Sequence, residues 1–402
     1  MHYLCRKIYN LIEMLMKKIA FVHEVFPGGG AERITLDIAE YLYHNRPDYQ
    51  CYVLTPKIVE ELCTERVKKV IRIVPVRKKA EERSEDVERI IISEGINLVV
   101  QIAQPVANMQ KICERTNCKS IFANHGEPFW QRHAILESRR KKFLNRIFWH
   151  LGAKNKYVKN GRARAIAVER TLQHYNNCDA YTVLCEGYKQ ETCDAFGILP
   201  GESKIHAIEN SEPIVKNVTY DKEKIILFCG RLENTSKRID RLLRIWGKIQ
   251  QRLADYRLQI VGDGDYRKNL EQQIVKEKLE RVDMLGRQSD VEPYYRRASI
   301  VCLTSQTEGW PLCLTEAQAH GCIPVAFGCT AGIRDVLSPS GTNGFIVTPF
   351  DEDEYAETLV RIAAMSDEER NAIRRSAVKK RARYAPEILM KKWEDLFEKL
   401  LN

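Results

Sequence analysis

Two glutamates eight positions apart, Glu308 and Glu316, are the residues of this sequence with the clearest chemical potential. Gly309 and Pro311 between them favour a loop, and a helix is predicted from about Leu312. One carboxylate then lies in the loop and the other just over one turn inside the helix, whose first N–H groups suit a phosphate. Two such acceptors suit the vicinal hydroxyls of two different sugars. The structural alternative is a capping acid and a surface glutamate.

Two cations, Arg231 and Lys237, flank a predicted loop between a strand and a helix that begins at Ile239. This pair suits a diphosphate, because arginine offers a fork of donors and lysine a compact charge. The alternative is a pair of solvated loop charges. Arg238, the next residue, is expected to face solvent.

Two weaker signals follow predicted strands nearer the N-terminus. Gly28–Gly30 stand before a helix and could let backbone N–H groups approach an anion, although they equally fit a tight strand-to-helix turn. His125 follows the apolar run Ser120–Ala123, where an imidazole could donate to a ligand oxygen or titrate near neutrality. A single histidine is also commonly structural, so both interpretations stay open.

Short apolar runs alternate with helical patterns along the whole chain, which indicates βαβ units and parallel sheets. The first series of predicted strands is Ile19–Val22, Cys51–Leu54, Ile71–Val76, Leu98–Ile102, Ser120–Asn124 and Ala180–Leu184. The second series is Ile225–Phe228, Leu258–Val261, Val282–Leu285, Ile300–Leu303, Ile323–Phe327 and Phe345–Val347. Two series separated by the polar stretch Asn210–Asp221 predict two doubly wound domains. Ligands of such sheets bind at the carboxyl ends of the strands, where the residues above lie.

Composition narrows the class of protein. The 402 residues are 44% apolar and 29% charged, which excludes a disordered or fibrous chain. No apolar run reaches the ~18 residues of a membrane span. Thirteen cysteines without C-x-x-C pairs argue against a disulfide framework or a thiolate zinc site and favour a reducing compartment. Met1–Leu15 lacks the features of a secretory signal and is predicted to be dispensable, as an upstream start or a short amphipathic helix.

The net charge of +10 is concentrated in one window, Trp130–Arg170, which holds twelve Lys or Arg and two acids. Apolar residues from Phe143 to Leu151 recur on one face of a helix within it. A basic amphipathic helix is typical of a membrane surface, although a solvated basic face fits as well and a nucleic-acid patch fits less well. The residues predicted for a membrane or acceptor surface are Arg139, Arg140, Lys141, Lys142 and Arg146.

Taken together, these segments resemble the retaining glycosyltransferases of family 4, whose fold is GT-B. The segments that carry the resemblance, in family order, are GGGAER from Gly28, Asn124-His125-Gly126, Gly230-Arg231-Leu232 with Lys237, Val261-Gly-Asp-Gly, Leu285-Gly-Arg, and EGWPLCLTE from Glu308 to Glu316. Two positions depart from the family pattern. Arg238 replaces a glycine after the lysine, and Asn210-Ser211 stands where Asn-Gly is usual.

The resemblance implies two Rossmann-like parallel-sheet domains that face a central cleft. An acceptor-binding domain at residues 16–212 would be followed by a donor-binding domain at 213–384. A C-terminal helix at 385–402 would pack back on the first domain.

The resemblance also implies roles for individual residues. Arg231 and Lys237 would bind the donor diphosphate, Glu316 the ribose, and Glu308 the hydroxyls of the transferred sugar. His125 would lie by that sugar near the anomeric centre, so His125 and Glu308 are the predicted catalytic residues. The remaining predicted donor-binding residues are Gly29, Gly30, Arg287, Leu312, Cys313 and Leu314.

No metal or other cofactor is expected. Asp263-Gly-Asp265 has the form of a metal-binding Asp-x-Asp, but it stands between glycines at a predicted turn, where aspartate is common. Arg231 and Lys237 could stabilise the departing diphosphate instead.

The sequence therefore predicts a metal-independent, retaining glycosyltransferase with a nucleotide-sugar donor, most simply a UDP-sugar, and a saccharide or lipid-linked acceptor. Its expected setting is surface-polysaccharide synthesis in the cytoplasm, at the inner face of the membrane, without a nucleic-acid partner. The alternatives are a nucleotide-sugar epimerase of the same fold and a non-catalytic binding protein that uses its basic surface.

Overall fold

The computed structural model describes residues 16–103, 105–133, 135–136, 161–212 and 214–402. These residues form two compact units. The first holds the described residues up to Ser211 together with Glu387–Asn402, and the second holds those of Glu212–Pro386. Each unit is built on its own parallel sheet with helices, which confirms the expected pair of doubly wound domains.

Two predictions fall outside the described residues. One is the N-terminal segment Met1–Leu15. The other is the membrane or acceptor surface with its amphipathic helix, formed by Arg139, Arg140, Lys141, Lys142, Arg146 and the apolar residues from Phe143 to Leu151.

The described strands of the first unit are β1 (Lys17–Val22), β2 (Tyr49–Thr55), β3 (Ile71–Pro75), β4 (Leu98–Ile102), β5 (Lys119–Ala123), β6 (Ala180–Val183) and β7 (Ile205–Ala207). They form a parallel sheet in the order β3-β2-β1-β4-β5-β6-β7. Only β7 was not predicted, because it has three residues and two of them, His206 and Ala207, are only half-buried. Such a strand has too short an apolar run to be recognised.

The described helices of the first unit that precede the second unit are α1 (Gly30–Asn45), α2 (Glu65–Val70), α3 (Ala80–Glu94), α4 (Met109–Thr116), α5 (Arg162–Asn176) and α6 (Glu186–Phe196). Helix α1 buries Ile34, Ile38 and Leu42 at a spacing of four residues. This spacing places them on one helical face against the sheet and explains why the sequence pattern located the helix.

The strands of the second unit are β8 (Glu223–Cys229), β9 (Arg257–Val261), β10 (Val282–Gly286), β11 (Ala298–Leu303), β12 (Ile323–Phe327) and β13 (Phe345–Val347), all parallel in the order β10-β9-β8-β11-β12-β13. Its helices are α7 (Ile239–Ile249), α8 (Arg267–Lys276), α9 (Glu292–Arg297), α10 (Leu312–Ala319), α11 (Ala331–Leu337), α12 (Glu352–Ala364) and α13 (Asp367–Arg381). Its largest core cluster joins the sheet residues Ile226 and Phe228 to Leu242 and Trp246 of α7.

The last helix, α14 (Pro386–Leu401), belongs to the first unit although the chain reaches it after the second. It buries Leu389, Trp393 and Phe397 along one side. Acidic side chains flank this stripe: Glu394 lies 2.6 Å from Arg46 of the first unit, and Glu398 lies 2.7 Å from Lys17. The helix is therefore held by both apolar burial and ion pairs.

Candidate active site

The order of each sheet reverses between two neighbouring strands, β1 and β4 in the first unit and β8 and β11 in the second. The loops that leave such strands diverge and open a crevice at their carboxyl ends. The residues predicted from the sequence follow β1 and β5 in the first unit and β8, β10 and β11 in the second. Within each unit they therefore lie at the edge where a doubly wound sheet binds its ligand.

Lys237 and Glu308 form an ion pair in the second unit, with 2.7 Å between Nζ and Oε1. Ser305 donates a hydrogen bond of 2.6 Å to the same carboxylate oxygen. The side chains of Lys237 and Glu308 are only 22% and 9% exposed, so water screens the pair weakly. Burial opposes the charge on Lys237, but the Glu308 carboxylate outweighs it and the pKa of Lys237 is raised. The lysine is therefore held as a cation beside a carboxylate.

A polar network ties the loop after β8 to the loop after β11. The Arg241 guanidinium donates to Oε1 of Gln306 at 2.6 Å and to the carbonyl of Thr304 at 3.4 Å. The N–H of Gln306 donates to the carbonyl of Ser236 at 2.6 Å. These bonds place the two loops at a fixed separation, so the positions of Lys237 and Glu308 do not depend on their own contact alone.

Arg238 is half-buried, so the expectation that it faces solvent was wrong. Its guanidinium makes two hydrogen bonds to the carboxylate of Asp240, at 2.9 and 2.8 Å. Its backbone has φ of +48°, in the left-handed region that favours glycine. This explains why a glycine is usual at this position in the family that the sequence resembles, and the Asp240 pair holds the arginine there instead.

Glu316 lies on α10 and accepts a hydrogen bond of 2.7 Å from the hydroxyl of Tyr295. Tyr295 is fully buried, and burial and the nearby Glu316 carboxylate raise its pKa well above the usual value. The tyrosine therefore stays a hydrogen-bond donor and fixes the orientation of the carboxylate. Tyr295 was not predicted from the sequence, because nothing in its local pattern distinguishes it from a core aromatic residue.

The start of α10 offers backbone donors, but fewer than predicted. Pro311 at the N-cap supplies no capping side chain, which suits a helix start open to a ligand. Leu314 is fully buried and its N–H already donates to the carbonyl of Pro311 at 2.9 Å. The candidate donors at this helix start are therefore the N–H groups of Leu312 and Cys313.

The two remaining cations predicted for the donor extend into solvent. The side chain of Arg231 is 74% exposed, and its guanidinium lies 3.6 Å from Glu233. Arg287 is exposed directly after β10. Neither has the half-buried, ion-paired geometry of Lys237, so the structure distinguishes one positioned cation from two exposed ones at this edge of the sheet.

In the first unit the structure adds a second histidine, His23, to the predicted His125. His23 is buried and its Nε2 lies 2.8 Å from the hydroxyl of Thr35. Burial and the proximity of His125 lower its pKa to about 3. Burial also lowers the pKa of His125 to about 4, although a hydrogen bond to Asn210 partly opposes it. Both imidazoles are therefore neutral at neutral pH. The position of His23 directly after β1 was the signal that could have identified it.

The unusual Asn210-Ser211 pair has a structural role in the first unit. Ser211 is fully buried, and its hydroxyl donates to Asp37 of α1 at 2.8 Å. Arg33, on the same helix, donates to the carbonyl of Ser211 at 3.0 Å. These bonds fix the backbone beside Asn210, which in turn contacts His125.

Gly29 and Gly30 are exposed at the start of α1, with Gly29 at the N-cap. A Cβ added at Gly29 would clash with the carboxylate of Glu32, which turns back over the helix start. Glu32 thus supplies negative charge at the positive end of the helix dipole. A phosphate bound at this loop would have to displace it.

Among the residues that the structure describes, no group of three or more His, Cys, Asp or Glu is arranged to hold a metal ion. Asp263, in the Asp-x-Asp segment, accepts a hydrogen bond of 2.8 Å from the N–H of Gly264. This is the turn geometry expected from its neighbouring glycines. In the same described part of the chain, no helix is both long enough and apolar enough to span a bilayer.

Residues 210–380, which correspond to the second unit, match the family described as glycosyl transferases group 1. The chain is 30% identical over 227 residues to the amylovoran biosynthesis glycosyltransferase AmsD of Erwinia amylovora. The aligned residues are 55% of this chain and 63% of that protein. The chain is 28% identical over 180 residues to an α-1,4-N-acetyl-D-galactosaminyltransferase of Campylobacter jejuni whose named substrate is an undecaprenol-linked saccharide, covering 42% and 50%. The chain thus spans half to two thirds of these relatives.

The structure is similar over 95% of this chain to HepE of Anabaena, which was solved with UDP-glucose. The TM-score is 0.72, the sequence identity is 17%, and 99% of that chain is covered. At this identity the likeness shows the fold alone. It confirms the expected fold class, two parallel-sheet domains of the GT-B type.

We predict that the two neutral histidines make the first unit sensitive to acid. Because His23 has a folded pKa of about 3 and an ordinary histidine titrates near 6.5, only the unfolded state gains a proton as the pH falls below 6.5. The contribution of the neutral His23 to the free energy of unfolding is therefore fully present above pH 6.5 and is lost progressively as the pH falls toward 3. One such histidine lowers the free energy of unfolding by about 1.4 kcal/mol at pH 5.5, relative to its value well above pH 6.5.

The measurement compares the thermal unfolding midpoint at pH 7.5 and pH 5.5. His23→Gln, which can still bond Thr35, should lose less stability on acidification than the unchanged protein. His44→Gln, at an exposed histidine of the same unit, is the matched control and should leave the pH dependence as it was. An equal acid sensitivity of the His23→Gln protein and the unchanged protein would contradict the prediction.

Proposed function

We propose that the protein is a retaining glycosyltransferase that moves a sugar from a nucleotide-sugar donor, most simply a UDP-sugar, to a saccharide or lipid-linked saccharide in surface-polysaccharide synthesis. The observation that carries this proposal is the Lys237–Glu308 pair at the reversal point of the second sheet, which sets a fixed cation beside a fixed hydroxyl acceptor. The match of residues 210–380 to the group 1 glycosyl transferases and the similarity to AmsD support it.

The donor would be bound by charge and by directed hydrogen bonds in the second unit. Lys237 would contact the diphosphate together with the free N–H groups that begin α10, and the exposed Arg231 could fold onto it. Glu316, oriented by Tyr295, would accept from the ribose hydroxyls. Glu308 would accept from a hydroxyl of the transferred sugar. Arg287 would lie by the base.

The chemistry that this arrangement supports is departure of the nucleoside diphosphate. As the bond from the anomeric carbon to the phosphate oxygen breaks, the diphosphate gains negative charge and the sugar gains oxocarbenium character. Lys237 and the helix-start N–H groups would stabilise the former charge without reorganising. The acceptor hydroxyl would attack from the same face and pass its proton to the leaving phosphate oxygen. This accounts for retention without a covalent intermediate.

His125 would act as a neutral hydrogen-bonding group near the transferred sugar. An imidazole whose pKa is about 4 carries no charge at neutral pH and so does not repel a developing oxocarbenium centre. Asn210 would orient it, since the backbone beside Asn210 is fixed by Asp37 and Arg33. Gly29 and Gly30, exposed at the start of α1, would approach a ligand phosphate or sugar only once the Glu32 carboxylate moves away from the helix start.

The first test measures binding and hydrolysis of UDP-, GDP- and ADP-sugars by the unchanged protein and by Glu316→Ala. One donor should bind in the low micromolar range, and the variant should lose at least tenfold in affinity, because a charged hydrogen bond contributes about 1.5–3 kcal/mol. Glu357→Ala, at an exposed glutamate of the same unit, is the control and should bind normally.

The result distinguishes the proposal from its competitors. Conversion of a donor to its epimer with no acceptor present would indicate a nucleotide-sugar epimerase. Full function of Glu308→Gln would indicate a non-catalytic binding protein, because that substitution removes the carboxylate while keeping the shape of the side chain. Either outcome would contradict the proposed transfer.

We further propose that transfer needs no metal, because Lys237 and the helix start supply the positive charge that a divalent ion would otherwise provide. Turnover of the donor identified above should be the same in EDTA as in buffer with Mg²⁺ or Mn²⁺. Loss of turnover in EDTA that Mn²⁺ restores would contradict this. Lys237→Met should lose turnover in either buffer.

The acceptor is proposed to be presented at the cytoplasmic face of a membrane, with the basic residues Arg139, Arg140, Lys141, Lys142 and Arg146 facing anionic lipid. Each such cation contributes about 1 kcal/mol to the free energy of binding at an anionic membrane surface. The protein should sediment with vesicles containing phosphatidylglycerol and lose this binding when residues 139–142 are neutralised. A control that neutralises Lys268 and Lys276, in the second unit, should still sediment. Failure of the unchanged protein to bind would refute the membrane part only.

A further inference from the structure

Three cysteines line a cavity of about 320 Å³ in the first unit, far along the strands from the residues discussed above. They are Cys113, Cys118 and Cys178. The cavity lies at the amino ends of β5 and β6, whereas the candidate active-site residues follow the carboxyl ends of strands. Its remaining wall is polar and includes the carboxylate of Asp179 and the amine of Lys119. This cluster has no part in the proposed transfer.

The local fold brings two of the three thiols together. Cys113 lies in the last turn of α4 and is half-buried. Asn117, just past the helix, has φ of +54° in the left-handed region, which turns the chain sharply toward β5. The buried Cys118 then lies beside Cys113, and its thiol donates to the carbonyl of Lys119 at 3.3 Å. The third thiol, Cys178, is buried and donates to the carbonyl of Tyr175 at 3.4 Å.

The surroundings make the two thiols chemically unequal. The neighbouring Cys118 thiol lowers the pKa of Cys113 despite its partial burial; Ser120 and Lys119 act in the same direction, and the carboxylate of Asp179 opposes them. The same interaction and burial raise the pKa of Cys118. The Ser120 hydroxyl is buried and has no hydrogen-bond partner of ordinary geometry among the described residues. The Ser120 hydroxyl lies close enough to Cys113 to donate a hydrogen bond to a thiolate there. Ionisation of Cys113 would therefore satisfy this buried donor.

We propose that Cys113 and Cys118 are a redox-active dithiol, in which Cys113 is the attacking thiol and Cys118 the resolving thiol, and that a small-molecule disulfide oxidises them through this cavity. A half-buried thiol of lowered pKa beside a buried second thiol is the arrangement of redox-sensing cysteines. In a reducing compartment such a disulfide would be transient rather than structural.

The reaction balances as two thiol–disulfide exchanges. The Cys113 thiolate attacks one sulfur of the small disulfide, the sulfur–sulfur bond breaks, and one small thiolate leaves and takes up a proton. Cys118 then loses its proton and attacks the Cys113 sulfur of the mixed disulfide. The Cys113–Cys118 bond forms and the second small thiolate leaves and takes up that proton. Two protein thiols are oxidised by two electrons, and one small disulfide is reduced to two thiols.

The sequence allows each cysteine to be followed separately by mass spectrometry. Trypsin cleaves after Lys111, Arg115 and Lys119, so Cys113 and Cys118 fall in different peptides, Ile112–Arg115 and Thr116–Lys119. Cys178 falls in a third peptide that begins at Thr171. The full-length protein is treated with oxidised glutathione, quenched with acid and digested without reductant. The expected product is the first two peptides joined by a disulfide.

Four single variants test the assigned roles. Cys118→Ser should accumulate glutathione on Cys113, whereas Cys113→Ser should lose at least tenfold in the rate of modification at this cavity. Cys178→Ser is the matched control at the same cavity and should react within about twofold of the unchanged protein. Ser120→Ala should slow the first step about tenfold, since it removes a hydrogen bond to a charged group.

Oxidation that joins Cys113 to Cys178, or equal reaction of Cys113 and Cys118 in the unchanged protein, would overturn the assignment. So would the absence of any mixed disulfide in Cys118→Ser at oxidised glutathione concentrations that modify an unfolded sample. The assay contains no nucleotide-sugar, so its result is independent of the proposed glycosyl transfer.

Discussion

The order of parallel strands in the second sheet is the constraint on which the candidate site depends. Because β8 and β11 are neighbours with the chain diverging from them, the loops that follow each strand must meet at one edge. Lys237 and Glu308, 71 positions apart in sequence, come within 2.7 Å as a result. The hydrogen bonds of Arg241 then fix the two loops. The positions of Lys237 and Glu308 therefore follow from the fold and do not depend on their own ion pair. A site of this kind is ordered in advance for a ligand that carries both phosphate and hydroxyl groups.

The candidate-site residues of the two units differ in their charge states at neutral pH. In the second unit the half-buried Lys237 keeps its charge, because the Glu308 carboxylate beside it outweighs the cost of burial. In the first unit His23 and His125 lose theirs, because burial disfavours the charged imidazole of each and His125 adds to the cost of charging His23. The first arrangement suits stabilisation of a phosphate, and the second suits hydrogen bonding to a neutral sugar. The thiols at the amino ends of β5 and β6 show a third case, in which one group is activated by its neighbour.

Most of the elements could be predicted from the sequence because their signals are local. Apolar runs located every described strand except β7, whose three residues include only one that is fully buried. Turn residues and helical spacing located α1, α7, α10 and α14 to within a few residues. Arg238 shows the limit of local reasoning. A charged residue in a loop usually faces solvent, but here Asp240 and a left-handed backbone hold it half-buried.

The sequence by itself determined the fold class and which residues follow the strands, because hydrophobic periodicity and turn chemistry act between near neighbours. It also carried the resemblance that pointed to Glu308, Glu316 and Lys237. Only the tertiary structure decided the partners: Lys237 with Glu308, Glu316 with Tyr295, His125 with His23, and Leu314 turned into the core. Such pairs form between residues distant along the chain, and the strand order that brings them together is a property of the whole sheet. Ionisation follows from those pairs, so it too was decided by the structure.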